Sequence, residues 1–264
     1  MIALLLALIA LLPAAVRAES VTWLMFDAPP MYIRSGPLAN QGSSDKVVQL
    51  LSAALPKYEK KLRPSVFARA WYDIEHEDGV CIVGVAQTAE RERIAKFSRT
   101  IYSAAGNRLI SLKAKSERFA KVKDADGRID LSLLGSQSDL RGGFAAKRSY
   151  GPSVSRFINQ SEKKIALESV PNEYQLFNLL THDRIDYFFA YGAEVQYYRK
   201  IYNIQEPLVL LPVTGDDTRI DAHVACSNQP LGNAIIADIE TLLSNPAFAA
   251  QIQAARSGWE DMDR

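Results

Sequence analysis

The segment GVAQTAERERIAKFS, residues 84–98, carries the residues best suited to binding chemistry. It begins inside an apolar run that is typical of a buried strand. Thr88 can cap a short helix that begins directly after it, which places Arg91 in the first turn of that helix. Arginine is a poor complement to the positive end of a helix dipole, so its presence there suggests an anionic partner for the forked guanidinium. The alternative is a surface arginine that pairs with Glu90 or Glu92.

Other patterns that would carry chemistry are missing from the sequence. The three histidines lie far apart, and none has a second histidine or a cysteine at metal-site spacing. Residues 124–129, DADGRI, look like the middle of a calcium loop, but Leu133 stands where the closing glutamate would be. There is no phosphate-binding loop, dinucleotide fingerprint or nucleophile elbow. The sequence therefore predicts no metal site, no cofactor and no catalytic residue.

The first residues have the layout of a secretory signal peptide. Residues 2–12 form an unbroken apolar run, Pro13 ends it, and a small residue, Ala18, stands at the predicted cleavage point. The run is short for a membrane-spanning helix. The sequence has no cysteine near the cleavage point, so a lipid anchor is not predicted. We expect residues 1–18 to be removed and the mature chain to be exported. The alternative is an uncleaved anchor.

Export would place the two cysteines, Cys81 and Cys226, in an oxidising compartment. Each lies in an apolar stretch that is typical of a strand. The pair can be a disulfide or two inert buried thiols. The disulfide is favoured, because free thiols are uncommon in exported proteins. If it forms, both ends of the chain belong to one lobe.

Composition and charge exclude several classes of protein. The 264 residues carry 31 Lys and Arg against 30 Asp and Glu, and 48% are hydrophobic. A balance so near neutrality predicts no nucleic-acid-binding face and no polybasic membrane patch. The hydrophobic content is sufficient for a folded core in one large or two small domains.

The order of the predicted elements favours an α/β fold. A strand over 21–26, a helix over 43–55, a strand over 64–72 and a strand over 79–86 follow one another in the first third of the chain. The last of these strands is almost entirely apolar, which is typical of a parallel sheet covered on both faces. Short strands and helices alternate through the middle of the chain, and residues 231–255 predict two helices.

Several of these segments together resemble one protein family. The most specific is Thr-Ala-Glu-Arg at 88–91 with Phe97-Ser98 behind it. Three weaker landmarks occur in the matching order: FDAPP at 26–30, LRGGF at 140–144 and DRID at 183–186. In these segments the chain resembles the bacterial extracellular solute-binding proteins of family 3, the periplasmic receptors of polar-amino-acid ABC importers. The resemblance covers essentially all of the mature chain.

The resemblance implies a two-lobed α/β architecture, the type II periplasmic binding protein fold. Each lobe would be a mixed, mostly parallel sheet flanked by helices, and a ligand would bind in the cleft between the lobes. Lobe 1 would contain residues 19–110 and 216–264, and lobe 2 would contain residues 111–215. The signal peptide and the family together imply a periplasmic location.

The resemblance also implies where a ligand would be held. Arg91 would bind a ligand carboxylate. The other candidate contacts are turn, loop and aromatic residues: Gly84, Ala86, Thr88, Ser149, Tyr150, Gly151, Phe26 and Tyr32. The first three would lie beside the carboxylate, the next three would close over the ligand from lobe 2, and the aromatic rings, Tyr150 included, would stack on it.

Two positions depart from the family pattern and change the expected ligand. Tyr191, also a candidate contact, stands where amino-acid receptors place the aspartate that holds the α-ammonium group, and Ala86 replaces a small hydroxyl residue. Without the aspartate, a buried ammonium group would lack its charge partner, which is costly. We therefore expect a ligand with a carboxylate and an aromatic or apolar part rather than a standard α-amino acid.

The predicted function is a monomeric periplasmic solute-binding protein that delivers a small molecule to an inner-membrane ABC permease. One alternative is an accessory or receptor protein that reports the ligand to a membrane sensor, since both roles use the same lobe closure. A further alternative is an enzyme, because some relatives with this fold dehydrate cyclohexadienyl acids. That chemistry needs a general acid in the cleft, for which Glu75, Asp27 and Glu194 are candidates.

Overall fold

A computed structural model describes residues 19–146, 148, 150–161, 165–216, 219–256 and 259. The predicted signal peptide, residues 1–18, and the predicted contact Ser149 lie outside the described residues. Within them, the chain forms two β-sheets flanked by helices. No helix in this part of the chain is long and apolar enough to cross a membrane.

The first sheet is built from both ends of the chain. Its six strands are β1 (Ser20–Met25), β2 (Glu59–Pro64), β3 (Val80–Val85), β4 (Ala95–Phe97), β5 (Tyr102–Ala104) and β11 (Ile220–Ser227). The strand order is β2-β1-β3-β11-β4, and β5 pairs with β11. β1 runs parallel to β2 and β3, whereas β11 runs antiparallel to β3, β4 and β5. We call the unit built on this sheet lobe 1.

The second sheet is built from the middle of the chain. Its five strands are β6 (Arg108–Leu112), β7 (Gly142–Ala145), β8 (Leu167–Val170), β9 (Tyr187–Ala190) and β10 (Leu208–Pro212), in the order β10-β6-β9-β7-β8. β7 runs parallel to β8 and β9, and β6 runs antiparallel to β9 and β10. We call this unit lobe 2. The α/β fold with two lobes is confirmed, but antiparallel pairs are at least as frequent as parallel ones. The reason is that β6, β10 and β11, where the chain changes sheets, run against their neighbours.

The helices cover the sheets. They are α1 (Ser43–Ala54), α2 (Phe67–His76), α3 (Leu131–Leu134), α4 (Pro152–Ser161), α5 (Glu173–Thr181), α6 (Gly192–Tyr202), α7 (Pro230–Leu243) and α8 (Pro246–Ala254), with 3-10 helices at Arg91–Arg93 and Lys113–Val122. The predicted strand over 64–72 is wrong, because β2 ends at Pro64 and α2 follows. Ala70, Asp73 and Ile74 are buried, and their spacing of three and four residues is that of one face of a helix. This helical spacing decides the structure, and the alternation of polar and apolar residues that suggested a strand does not.

The two chain crossings between the lobes lie side by side. The chain leaves lobe 1 after Ala104, enters lobe 2 at Arg108, and returns between β10 and β11. The backbone N–H and the side-chain Nδ2 of Asn107 both donate to Oδ2 of Asp216, each at 2.8 Å. Gly106 is required here, since a β-carbon would lie 1.7 Å from the Asp216 carbonyl oxygen. The two crossings therefore pack together as one unit between the lobes.

A disulfide joins the first part of the chain to the last part. Cys81 of β3 and Cys226 of β11 are paired across the antiparallel strands and form the bond, with their Cα atoms 4.0 Å apart. Both residues are fully buried in the core of lobe 1. The bond fixes the returning strand β11 against β3.

We expect replacement of both cysteines by alanine to lower the free energy of unfolding by about 2–4 kcal/mol, because the unfolded chain loses a long cross-link. Urea unfolding of the oxidised protein and the double variant measures the difference. Dithiothreitol should destabilise the wild type by a similar amount and leave the variant unchanged. Equal stabilities of the oxidised wild type and the variant would contradict a stabilising bridge.

Candidate functional site

The cleft between the lobes contains two adjoining cavities. One, of about 630 Å³, is lined by charged and aromatic side chains of both lobes, and we call it the polar cavity. The other, of about 200 Å³, is lined mainly by small and apolar residues, and we call it the apolar chamber. The residues that line both are Pro29, Met31, Tyr191 and Glu194. The two cavities therefore adjoin each other along these four residues.

The loop after β1 is fixed rigidly between the two cavities. The Met31 carbonyl accepts a hydrogen bond from the Ser44 amide at the start of α1, at 2.9 Å. Gly42 is needed for this close approach, because a β-carbon there would lie 2.2 Å from the Met31 oxygen. The first amides of α1 are thus engaged by the protein itself. Pro29 and Met31 form a stable partition in the cleft.

Arg91 lines the polar cavity just beyond the end of β3. Its amide donates to Oγ1 of Thr88 at 3.3 Å, and its Nη1 donates to the Ala86 carbonyl oxygen at 2.8 Å. The guanidinium carbon lies 4.5 Å from the centre of the Trp71 ring, a cation–π contact. Partial burial lowers the pKa of Arg91, but arginine remains a cation near neutral pH.

No carboxylate among the described residues forms an ion pair with Arg91. Of its two acidic neighbours in sequence, Glu92 instead accepts a hydrogen bond from Gln87, and Glu90 is exposed. The surface pair that the sequence left open is therefore not formed in this structure. The direct contacts of the guanidinium are with neutral groups, and the charge of exposed Glu90 acts on it without an ion pair. Its positive charge can therefore attract an anion in the polar cavity.

The second arginine of the polar cavity, Arg148, has protein partners. Its Nη1 lies 2.6 Å from a carboxylate oxygen of Glu194 and 3.7 Å from one of Glu173. Its side chain is 7% exposed, and its guanidinium carbon lies 4.9 Å and 5.0 Å from the ring centres of Tyr150 and Tyr191. Burial acts to lower the pKa of Arg148, but the Glu194 carboxylate outweighs it and raises the pKa. Acidic neighbours thus balance this charge.

The apolar chamber lies beside Arg91 and is bounded by both lobes. The small residues in its wall are Gly84, Ala86, Ala104, Ala193 and Ala222. Trp259, which is 6% exposed, completes the wall. The Trp259 ring lies 5.7 Å from the ring of Tyr197 in lobe 2, and its Nε1 donates to the Gln41 carbonyl oxygen of lobe 1 at 3.3 Å. Arg256 also lines the chamber and donates to the Ser103 carbonyl oxygen at 2.9 Å.

Four of the predicted contacts line the cleft. Arg91 lies in the polar cavity, Gly84 and Ala86 lie in the apolar chamber, and Tyr191 lines both. Thr88 is exposed and lines neither cavity, so here it supports the Arg91 turn. These positions are compatible with the predicted role of Arg91, which remains a prediction.

The aromatic residues predicted to stack on a ligand lie in the core instead. Phe26, Tyr32 and Tyr150 are 2%, 1% and 2% exposed. The Tyr32 hydroxyl donates to the Val83 carbonyl at 2.7 Å and accepts from the Val83 amide at 3.2 Å. The Tyr150 hydroxyl accepts from the Ala145 amide at 2.7 Å. None of the three rings lines either cavity in this structure, and their stacking on a ligand remains a prediction.

The loop predicted to close over a ligand from lobe 2 packs against the chain crossings. Gly151 has a φ of +78°, and a β-carbon there would lie 3.3 Å from Asp216 Oδ1. The Tyr150 carbonyl accepts a hydrogen bond from Asn107 at 2.6 Å. The described part of this loop therefore packs against the chain crossings and lines neither cavity.

Sequence reasoning missed several cleft residues. Trp71 and Phe67 lie on α2, which the sequence predicted as a strand, and both line the polar cavity. Phe67 is 44% exposed and stacks on Phe26 with ring centres 4.3 Å apart. Helical spacing over residues 67–76 could have revealed the helix, but nothing in the sequence links Trp71 to Arg91. No group of described residues has the acids, histidines or cysteines to hold a metal ion.

The two lobes and the cleft between them give the chain the two-lobed fold of the amino-acid substrate-binding proteins. It is similar to the amino acid ABC transporter substrate-binding protein AbpA of Streptococcus pneumoniae bound to L-arginine. The TM-score is 0.58 at 18% identity, over 92% of this chain and 97% of that chain. No protein-family model and no curated protein sequence matches the chain.

Two further structures have the same fold and different roles. One is an ancestral amino acid-binding protein described as a precursor of cyclohexadienyl dehydratase, with a TM-score of 0.61, 14% identity, and coverage of 92% of this chain and 96% of that chain. The other is a histidine kinase sensor domain with similarity to periplasmic binding proteins, with a TM-score of 0.60, 13% identity, and coverage of 91% and 95%. At such identities the likeness establishes the fold alone.

The two arginines of the polar cavity should differ in their effect on stability. We expect Arg148→Met to lower the free energy of unfolding by about 2–4 kcal/mol, since Glu194 loses its buried partner. Arg91→Met should cost less, about 1–2 kcal/mol, because it removes one cation–π contact and one hydrogen bond to a carbonyl oxygen but no ion pair. Urea unfolding of both variants measures the difference.

The double variant Arg148→Met/Glu194→Gln provides the control. Removing both charges should recover part of the stability that Arg148→Met loses. Equal losses for Arg91→Met and Arg148→Met would show that the two arginines are not distinguished in this way.

Proposed function

We propose that this chain is a divergent, exported member of the family 3 solute-binding proteins, and that it closes its two lobes on a small carboxylate-bearing ligand. In this proposal lobe 1 comprises residues 19–110 and 216–264, lobe 2 comprises residues 111–215, and residues 1–18 are a signal peptide. The protein acts as a monomer in the periplasm and carries no cofactor. The observation that carries the proposal is the unpaired Arg91 guanidinium in the cleft.

The environment of Arg91 supports a binding role. A structural arginine in a partly buried position is expected to have an acidic partner, as Arg148 has in Glu194. Arg91 instead has a carbonyl oxygen and an aromatic face, which orient the guanidinium without neutralising it. A carboxylate that enters the polar cavity gains a charge-assisted and potentially bidentate contact.

The neighbouring apolar chamber supports a ligand with an apolar part. Ala86 lines the chamber, and its carbonyl oxygen lies only 2.8 Å from Arg91 Nη1. A carboxylate and an apolar group of one small molecule can therefore occupy the two cavities together. Tyr191 stands between them and offers no negative charge for an ammonium group. Of the described acids that line the polar cavity, Glu173 and Glu194 face Arg148, which leaves Asp27 to meet an ammonium group. We propose a carboxylate ligand without an α-ammonium group, and the matched pairs below test this against a role of Asp27.

Lobe closure supplies the functional signal. Both cavities are lined by residues of both lobes, so a ligand in the cleft contacts both and favours the closed arrangement. The paired crossings at Asn107 and Asp216 provide the hinge. A membrane partner can then distinguish the closed form from the open one.

Import and sensing use this signal in different ways. The AbpA structure belongs to an ABC transporter component, and the sensor domain belongs to a histidine kinase. We propose import as the role of this chain and sensing as the alternative. Genes for a permease and an ATPase beside this gene would support import, and a kinase or cyclase gene would support sensing.

Binding rather than catalysis is the proposed activity. Of the acids named as general-acid candidates, Glu75 lines neither cavity and Glu194 is held by Arg148. Asp27 lines the polar cavity. We expect no product when the mature protein is incubated with prephenate or arogenate and sampled by mass spectrometry. Turnover that disappears in Asp27→Asn would instead establish an enzyme.

A thermal-shift screen of the refolded mature protein tests the binding proposal. The panel contains carboxylates, aromatic acids and amino acids, including matched pairs with and without the α-amino group. A ligand at 100 times its Kd should stabilise the protein by about 2.7 kcal/mol. The deaminated member of a matched pair should bind at least as tightly as the amino acid.

Three arginine variants locate the carboxylate contact. Arg91→Ala should weaken binding of any hit by about thirtyfold or more, because two charge-assisted hydrogen bonds are lost. Arg93→Ala, an exposed residue of the same turn, should leave the Kd unchanged. A Kd that responds to Arg256→Ala and not to Arg91→Ala would reject Arg91 as the anchor.

A further inference from the structure

Trp259 forms the ring contacts that join the two lobes. Away from the chain crossings, the hydrogen bonds and ion pairs between described residues lie within one lobe or the other. The Trp259 ring, in contrast, lies against the Tyr197 ring of lobe 2, with the ring centres 5.7 Å apart. Lys200 Nζ, also of lobe 2, lies 5.6 Å from the centre of the Trp259 ring. One side chain of lobe 1 therefore makes the aromatic and the cation–π contact between the lobes in the described part of the chain.

Lobe 1 holds Trp259 from two directions. The Trp259 amide donates to the Arg256 carbonyl oxygen at 3.0 Å, just after α8, and the indole Nε1 donates to the Gln41 carbonyl oxygen at 3.3 Å. Arg256 in turn donates to the Ser103 carbonyl oxygen at 2.9 Å. Trp259 is only 6% exposed. The indole is therefore oriented by lobe 1 at the place where it meets lobe 2.

The partners in lobe 2 lie on the helix that also enters the cleft. Tyr197 and Lys200 are three residues apart on α6, so they share one face of that helix. Ala193 and Glu194, one turn earlier, line the apolar chamber. A movement of lobe 2 that widens the cleft carries α6 away from lobe 1, and it therefore separates Tyr197 from the Trp259 ring.

We propose that Trp259 is a clasp between the lobes, which favours the closed arrangement before a ligand binds and is released when the cleft opens. This inference rests on the proposed function, because it concerns the closure of the same cleft. Ring contacts and exposed cation–π contacts of this kind favour one state over another by about three- to tenfold. The clasp raises the closed fraction of the ligand-free protein, and a ligand that binds the closed form gains apparent affinity by up to the same factor.

Distance measurements on the ligand-free protein test the clasp. Spin labels are attached at Ala53→Cys in α1 of lobe 1 and at Asn159→Cys in α4 of lobe 2, since both positions are exposed. The Cys81–Cys226 bond stays oxidised and takes no label. Pulsed electron resonance then gives the distribution of distances between the lobes, and a long and a short distance correspond to the open and the closed form.

Removal of the indole should open the cleft. We expect Trp259→Ala to raise the ratio of the long-distance to the short-distance population by about three- to tenfold, because the ring contact is lost. Trp259→Phe should shift the ratio less, since it keeps a ring against Tyr197. Tyr72→Ala is the matched control, because it removes an exposed ring of lobe 1 that lines neither cavity. It should leave the distribution unchanged.

Tyr197→Ala tests the same contact from lobe 2, and it keeps the test decisive if Trp259→Ala disturbs folding. It should shift the populations in the same direction as Trp259→Ala. The double variant should shift them little further than Trp259→Ala alone, because the two side chains act through one contact. Circular dichroism and urea unfolding of each variant check that the fold is intact.

The outcomes separate the clasp from the proposed function. Wild-type distances in both Trp259→Ala and Tyr197→Ala would overturn the clasp, and so would shifts whose factors multiply in the double variant. A shift towards the short distance would also overturn it, since the contact would then hold the lobes apart. The distances are measured without a ligand. If no carboxylate binds, or if binding is insensitive to Arg91→Ala, the proposed function fails while the distances still decide on the clasp.

Discussion

The antiparallel pairing of β3 with β11 is the constraint on which the rest of the structure depends. The chain can form a second lobe from its middle only because β11 returns and completes the sheet that β1 and β3 began. The Cys81–Cys226 bond makes this return covalent. Because β11 returns to the first sheet, the chain must cross between the lobes twice, and the two crossings lie side by side. The cleft walls follow as well, since Gly84 lies near the end of β3, Arg91 lies just beyond that strand and Ala222 lies on β11.

Within the polar cavity, the two arginines have different kinds of partner. Arg148 is nearly fully buried, paired with Glu194 and enclosed by tyrosine rings. The desolvation of its charge is offset inside the protein. Arg91 is held by a carbonyl oxygen and by Trp71, which set its direction and leave its charge unbalanced. The two arginines therefore differ in their partners, and this difference is why we propose Arg91 and not Arg148 as the anchor of a ligand.

The sequence predicted the class of fold and much of the cleft, because these depend on local signals. The apolar run of β3, the turn after it and the position of Arg91 follow from neighbouring residues, and the cysteine pair links the two ends of the chain. The sequence could not place Trp71 beside Arg91, since that contact depends on how α2 packs against lobe 1. It also overestimated the exposure of Tyr32 and Tyr150, whose hydroxyls bind backbone groups.

A crystal structure of the mature protein with the tightest-binding carboxylate tests the central claim most directly. The account predicts that the ligand carboxylate lies within hydrogen-bond distance of the Arg91 guanidinium, with the lobes closed about it. The Arg91–Ala86 contact and the Trp71 stacking should be retained in the complex. A carboxylate bound to Arg256, or one bound outside the cleft while Arg91 faces only solvent, would contradict the account.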